Sequence, residues 1–463
     1  MKVSELFGGW VVFLGLAAST AWASDGALPI VGRISAVAGP VQYQSAAGAW
    51  SDALANEPVA AGTGLRTAPD AEAEWRRPDA RVALAPSSEL RVVRSEDDAL
   101  QIVLVAGRIG VHLDAARNVE IDLPHGGVWL DAPGDYDIVA GDAHDPARIE
   151  IFAGTVRLGG GLDNSHIAAV QADSFSDWWR SQDDNAAAVA DRQLPDIAGV
   201  AALDATGRWE TDPKFGKIWY PSGIAADWTP YRDGVWRFLA PWGWTWIDHE
   251  AWGFAPTHYG RWARIDDRWG WVPGPQLTAA DYSAATVAFL GTAGIGLSRP
   301  GDAGSAIAWF PLAPGETIGD GDDANYKNRR FGTAVPRAAF AAGQPVAAAL
   351  IDDVPERRFA DAPVILGALD ISPANPALVA AVPKKPAAVA LAAARPVAAA
   401  PPETTRRRFA VQLRDHGRLD HEVTAKAPTE ATADAGHMHR HRIFRQTQGL
   451  GDERLAGTGV LGR

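Results

Sequence analysis

Between residues 30 and 158 the chain alternates short apolar runs with turn residues. Ile34-Ser35-Ala36-Val37, then Gly39-Pro40, then Val41-Gln42-Tyr43-Gln44 reads as strand, turn, strand. Later runs follow at Arg81–Leu84, Leu90–Val93, Gln101–Val105, Arg108–Leu113, Val119–Leu123, Val128–Leu130, Tyr136–Val139 and Arg148–Phe152. Short strands at this spacing predict an antiparallel β-sandwich or β-roll. From Asp173 to Arg192 the period lengthens. Phe175, Trp178 and Trp179 share one face of a helix whose opposite face carries Asp183 and Asp184. Asp173 or Ser174 is the expected N-cap, with Asp177 in the first turn favouring the positive end of the dipole. An acidic polar face does not suit a membrane-surface helix, which needs Lys and Arg there, so this is a connector packed on a neighbouring domain.

From residue 206 to 275 the pattern repeats itself. The anchors Gly207-Arg208-Trp209, Gly234-Val235-Trp236 and Gly260-Arg261-Trp262 recur every 26 or 27 residues. The second and third units close with Trp242-Gly243-Trp244 and Trp269-Gly270-Trp271, the first more loosely with Phe215-Gly216 and Trp219. Eleven of the chain's 19 tryptophans fall between Trp209 and Trp271, so the repeat is built on indole. Each unit reads as a β-hairpin: two aromatic runs around a turn containing Gly, Asp or Pro. In a strand Trp242, Trp244 and Trp246 project on one face, and Gly243, Thr245 and Ile247 on the other. Residues 276 to 370 continue β-rich. From Pro376 to Pro402, 22 of 27 residues are Ala, Pro or Val, which cannot assemble a core and reads as a linker. The mixed-charge tail beyond Glu403 is expected to be disordered.

The expected organisation is therefore a mainly β chain: leader over 1–23, β domain over 24–160, helical connector over 161–205, tryptophan-repeat hairpins over 206–275, a β-rich continuation over 276–370, and linker and tail over 371–463. The leader rests on Lys2, an apolar run from Leu6 to Ala18, and Ala21-Trp22-Ala23 before Ser24, the features of a secretory signal peptide. Beyond it no stretch is apolar and long enough to span a bilayer. The exported chain is expected in the periplasm. Its lack of cysteine excludes disulfides, thiolate chemistry and zinc-thiolate sites. A net charge of −13, unchanged by loss of residues 1–23, argues against nucleic acid and a polybasic membrane patch as partners.

Two families are recognisable. Gly62-Thr63-Gly64-Leu65-Arg66-Thr67, Val105-Ala106-Gly107-Arg108-Ile109, Ala132-Pro133-Gly134-Asp135-Tyr136-Asp137-Ile138 and Ile149-Glu150-Ile151-Phe152-Ala153-Gly154-Thr155-Val156 resemble, in order, the blocks of a FecR-type periplasmic domain over about 30–160. The resemblance implies a signalling context at the cell envelope, although no cytoplasmic segment for a sigma-factor regulator is recognisable. Residues 205 to about 350 resemble a tryptophan-rich bacterial family of unknown function that commonly follows FecR-type domains. The match is carried by Trp236, Trp244, Trp246, Trp252-Gly253-Phe254-Ala255-Pro256, His258-Tyr259-Gly260-Arg261-Trp262, Trp269-Gly270-Trp271-Val272-Pro273-Gly274 and Trp309-Phe310-Pro311-Leu312. It brings no reaction with it.

Catalytic patterns are thin. Gly291-Thr292-Ala293-Gly294-Ile295-Gly296 has the wrong order for a dinucleotide loop, and His125-Gly126-Gly127 lacks a nucleophile elbow. Asp320, Asp322 and Asp323 miss the EF-hand spacing, and His437, His439 and His441 alternate in the tail. His249 and His258 read as turn or strand-bridging residues. No cofactor or metal is expected. The reading is a non-catalytic binding or scaffold protein. The indoles read mainly as core, with an exposed subset used for binding; the candidate ligand residues are Trp242, Trp244, Trp246, Trp252, Trp262, Trp269, Trp271, His258 and Tyr259, which would meet peptidoglycan or another envelope glycan. The alternatives are a protein-interaction or FecR-type signalling scaffold and an envelope glycan hydrolase. The hydrolase would need a facing carboxylate pair beside the tryptophans.

Overall fold

The computed structural model describes residues 29–46, 48–115, 118–181, 197–274, 277–291, 306–319, 325–352 and 354–374. The leader, the glycine-rich run after Gly291, Asp320, Asp322, Asp323, the three tail histidines, and the linker and tail lie outside the described residues. So does the expected helix beyond Ser181.

Strand-forming runs from Gly32 to Ala168 build two eight-stranded sheets. In order across the first lie Ile167–Ala168, Arg148–Ile151, Gly134–Val139, Arg108–Leu113, Ala80–Leu84, Glu72–Arg77, Gly32–Ala38 and Pro58–Val59. The second runs Val156–Gly160, Gly126–Leu130, Asn118–Leu123, Ala99–Ala106, Glu89–Ser95, Gly64–Thr67, Val41–Gln44 and Ser51–Asp52. Alternating residues of both, among them Ile34, Leu65, Val82, Ile102, Val111 and Ile138, meet in one aliphatic core. Pairing is antiparallel except for Asn118–Leu123 on Ala99–Ala106 and Ile167–Ala168 on Arg148–Ile151, which run parallel.

A helix over Ser174–Arg180 packs on this domain. Asp173 caps it, accepting from the Ser176 N–H at 2.9 Å, and also binds Arg108 Nη1 at 2.5 Å. Trp179 lies flat over Gly110, where a β-carbon would come within 2.3 Å of the indole.

The three tryptophan units are hairpins: Gly207–Asp212 with Gly216–Pro221, Gly234–Leu239 with Gly243–Asp248, and Arg261–Ile265 with Arg268–Val272. Each sets two indoles directly across from one another, Trp209 to Trp219, Trp236 to Trp246, and Trp262 to Trp271. The anchor glycine of each unit lies beneath the second indole of its own pair. A β-carbon would approach Trp219 within 2.4 Å at Gly207, Trp246 within 2.4 Å at Gly234, and Trp271 within 2.7 Å at Gly260. The Gly-x-Trp signature is therefore a packing rule: the missing side chain makes room for an indole and for a carbonyl of the paired strand, that of Tyr220, Ile247 or Val272. The first and third hairpins join into a four-stranded sheet through Trp219 opposite Trp271, whereas the second stands apart as its own two-stranded sheet.

The second hairpin packs on the sandwich. Its odd-numbered side chains Val235, Leu239 and Ile247 enter the sandwich core, while Trp236, Trp244 and Trp246 enter a second, aromatic core. Trp236 is the hub of that core, with ring centroids 5.0 Å from Phe289, 5.4 Å from Trp246, 5.4 Å from Trp309 and 5.5 Å from Phe340. Phe289 and Trp309 arrive on a three-stranded sheet of Val287–Leu290, Ala306–Pro311 and Thr333–Pro336, and Phe340 on the helix Arg337–Ala341.

Polar groups lock the same face. Arg237 Nη1 donates to Glu57 Oε1 and to the Asp52 carbonyl, both at 2.8 Å. Asn56, held at φ 65°, donates from Nδ2 to the carbonyls of Asp248 at 3.0 Å and Glu250 at 2.7 Å. Glu57 is fully buried, and that burial raises its pKa despite the neighbouring guanidinium.

Arg237→Ala leaves the Glu57 carboxylate without its cation and is expected to destabilise the chain by about 3 kcal/mol in urea unfolding. Gly234→Ala forces a methyl against both Trp246 and the Ile247 carbonyl and is expected to cost about 1–3 kcal/mol. A Gly234→Ala variant as stable as the parent would refute the packing rule.

Candidate functional site

Eight of the nine sequence-predicted ligand residues are buried, and only Trp242 is half-exposed. Trp244 and Trp246 do share a face, as the alternation predicts, but that face is the aromatic core. Their N–H groups are satisfied internally, Trp244 by the Ile371 carbonyl at 3.0 Å and Trp246 by Asp248 Oδ2 at 2.8 Å. Trp252 packs on Trp219 and Trp228, Trp262 on Trp228, Trp269 on Phe331, and Trp271 donates to the Tyr259 carbonyl at 2.8 Å. Most of these indoles are therefore core, the role the sequence favours for them, and Trp242, Trp244 and Trp246 do not form an exposed platform. A module this small has few aliphatics, so its indoles supply the buried area themselves.

His258 and Tyr259 belong to the same interior. The His258 ring stacks on Tyr282 with centroids 4.9 Å apart, and Nδ1 lies 2.8 Å from the Ser283 carbonyl, which assigns the proton to Nδ1. Burial lowers the His258 pKa to about 4, so the ring is neutral at physiological pH and holds the Ser283 carbonyl through Nδ1. His249 is exposed beside Asp233 at 2.9 Å. Among the described residues no group of three or more His, Asp or Glu is placed to hold a metal, and no helix is long and apolar enough to cross a membrane.

The open concavity of the module lies elsewhere, along the outer strand of the third hairpin. This cleft, about 540 Å³, is lined by Lys214 and Phe215 from the first hairpin turn, Ala263 to Asp267 from the third hairpin, Ala313-Pro314, and Lys327, Asn328, Arg330 and Phe331. Each element places its residue for a local reason. Asp212 Oδ1 accepts the N–H groups of Lys214 at 2.7 Å and Phe215 at 2.9 Å, folding that turn back. Asp266 and Asp267 both adopt positive φ, 47° and 60°, as a two-residue hairpin turn requires. Arg264 lies over Trp269 at 5.5 Å and over Phe331 at 5.0 Å, while Arg330 lies over Phe331 at 4.6 Å. The rings thus hold guanidinium groups in place. Arg264 Nε sits 3.7 Å from Asp267 Oδ1. The two carboxylates are consecutive on one turn, which is not the facing pair a glycosidase uses.

Sequence reasoning missed this cleft because it gathers residues from four segments. The local signals were two adjacent arginines, Arg329 and Arg330, in an acidic chain, and a lysine at a hairpin tip. Arg329 turns inward instead, donating from Nε to the Phe359 carbonyl at 2.9 Å.

With this geometry in hand, comparison with known proteins shows that residues 200–316 are similar to a family of unknown function (DUF6600). That stretch contains all three hairpins and much of the cleft. No FecR-type match accompanies it. No curated protein and no solved structure matches the chain.

Asp248 sits where the two cores meet. Burial raises its pKa to about 7, against hydrogen bonds from Trp246 Nε1 and the Glu250 N–H that favour the ionised form. The unfolded chain releases this proton near pH 4. Between about pH 4 and 7 the folded state therefore holds a proton the unfolded state has lost, and this group's contribution to stability falls as pH rises. Asp248→Asn is expected to flatten that decline, measured as urea midpoints at pH 4.5, 6 and 8. Parallel pH profiles for parent and variant would refute the assignment.

Proposed function

We propose that the protein is an exported, non-catalytic scaffold of the cell envelope that binds another envelope protein. The supporting observation is the burial of the tryptophans. Indoles that form a core, with Trp219, Trp244, Trp271 and Trp309 donating to internal carbonyls, hold a surface rigid; they do not present ring faces to sugar. This favours the protein-interaction reading over binding of peptidoglycan or another glycan. The FecR-type resemblance of residues 30–160 fits the same reading, with the sandwich as a fixed base and the hairpin module as the recognition surface. The secretory features of residues 1–23 support a periplasmic location for it.

Sedimentation of the purified chain with peptidoglycan sacculi tests the choice between partners. The chain is expected to stay in the supernatant. Salt-resistant pelleting would return the glycan reading and defeat this one.

A further inference from the structure

We infer that the cleft beside the third hairpin binds an extended acidic peptide segment of a partner protein, which pairs with the outward N–H and C=O of Arg264, the outer-strand groups that no described segment covers. The inference rests on the scaffold reading above and names the surface and the chemistry of its partner.

Charge is the first ground. The chain carries a net charge of −13, yet Lys214, Arg264, Lys327 and Arg330 converge on one concavity against Asp266 and Asp267. A concave, low-dielectric wall focuses such a field and selects a negative partner. The aromatic residues of the cleft do not favour sugar. Arg264 and Arg330 lie over Phe331, and the Lys214 amine lies 4.9 Å from the centre of the Phe215 ring. These ring faces are used to position cations.

The backbone supplies the second ground. Arg261–Ile265 is an outer strand of the four-stranded sheet. The Trp262 N–H donates to the Leu312 carbonyl at 3.2 Å, and its C=O accepts from Asn328 Nδ2 at 2.7 Å, so both point away from the paired strand. By the two-residue period of a strand, the N–H and C=O of Arg264 point the same way, towards the cleft. The covering segment turns aside there. The Ala313 carbonyl accepts from the Glu316 N–H at 3.0 Å, closing a turn that carries the chain off the edge. One main-chain donor and one acceptor are thus presented among four cations. An extended peptide satisfies both through its own backbone while its acidic side chains meet the lysines and arginines.

The test is fluorescence anisotropy on the full chain with three labelled peptides. One alternates Glu and Val, the second replaces every Glu by Gln, and the third keeps Glu and Val but is N-methylated at its central residues. The first is expected to bind, and the other two to bind about tenfold more weakly or worse. The Lys327→Glu/Arg330→Glu variant, whose altered side chains are exposed, is expected to lose about tenfold with an unchanged urea midpoint. Lys214→Glu, on a separate turn, repeats the measurement if the double variant fails to fold. Equal affinity for the Gln peptide overturns the charge argument, and undiminished binding of the N-methylated peptide overturns strand addition. Hyaluronan binding that Lys327→Glu/Arg330→Glu abolishes, with no binding of the acidic peptide, replaces the peptide by an acidic polysaccharide. Failure of every probe, with the chain still released from sacculi, removes this cleft but leaves the scaffold reading standing.

Discussion

The second hairpin belongs to two cores at once, and the rest of the described structure depends on that. Its alternation sends Val235, Leu239 and Ile247 into an aliphatic sandwich and Trp236, Trp244 and Trp246 into an aromatic cluster. Full burial of one large apolar side chain is worth roughly 1.5–3 kcal/mol, so neither core gives up its share cheaply. Around this shared element the polar groups are arranged to be satisfied only when both sides are present. Glu57 needs Arg237, and Asn56 reaches the carbonyls of Asp248 and Glu250. The hairpin module and the sandwich are coupled by a strand pair with no side left over for solvent.

The same device recurs at smaller scale. An indole laid over a glycine closes each hairpin and also docks the helix at Trp179 on Gly110. A flat ring over a bare backbone gives close contact without a side chain having to move aside. This accounts for the repeat better than ligand binding does, since the spacing of Gly, Trp and paired Trp is fixed by strand register. The looser first unit keeps the rule: Gly207 still lies beneath Trp219 although no Trp-Gly-Trp closes it.

Much of this was legible in the residues. Runs such as Arg81–Leu84 and Arg108–Leu113 are strands, Asp173 is the cap, and Trp244 and Trp246 do project together. The parallel pairing of Asn118–Leu123 with Ala99–Ala106 was not, because a buried run looks the same in either orientation. Nor was it legible that both faces of the second hairpin are covered. Periodicity states which residues share a face, and only the partner decides whether that face is covered. Here Phe289, Trp309 and Phe340, all beyond the repeats, cover it. The cleft was invisible for a related reason: Lys214, Arg264 and Arg330 meet only after the first and third hairpins share a sheet.

Sharing one hairpin between two cores also orders events during synthesis. The strands of the sandwich leave the ribosome well before Val235, Leu239 and Ile247 exist, so the nascent domain emerges with a gap in its hydrophobic wall and with Glu57 unneutralised. Until the second hairpin arrives, that gap leaves apolar surface uncovered. A chain cut short between the two halves would inherit it permanently.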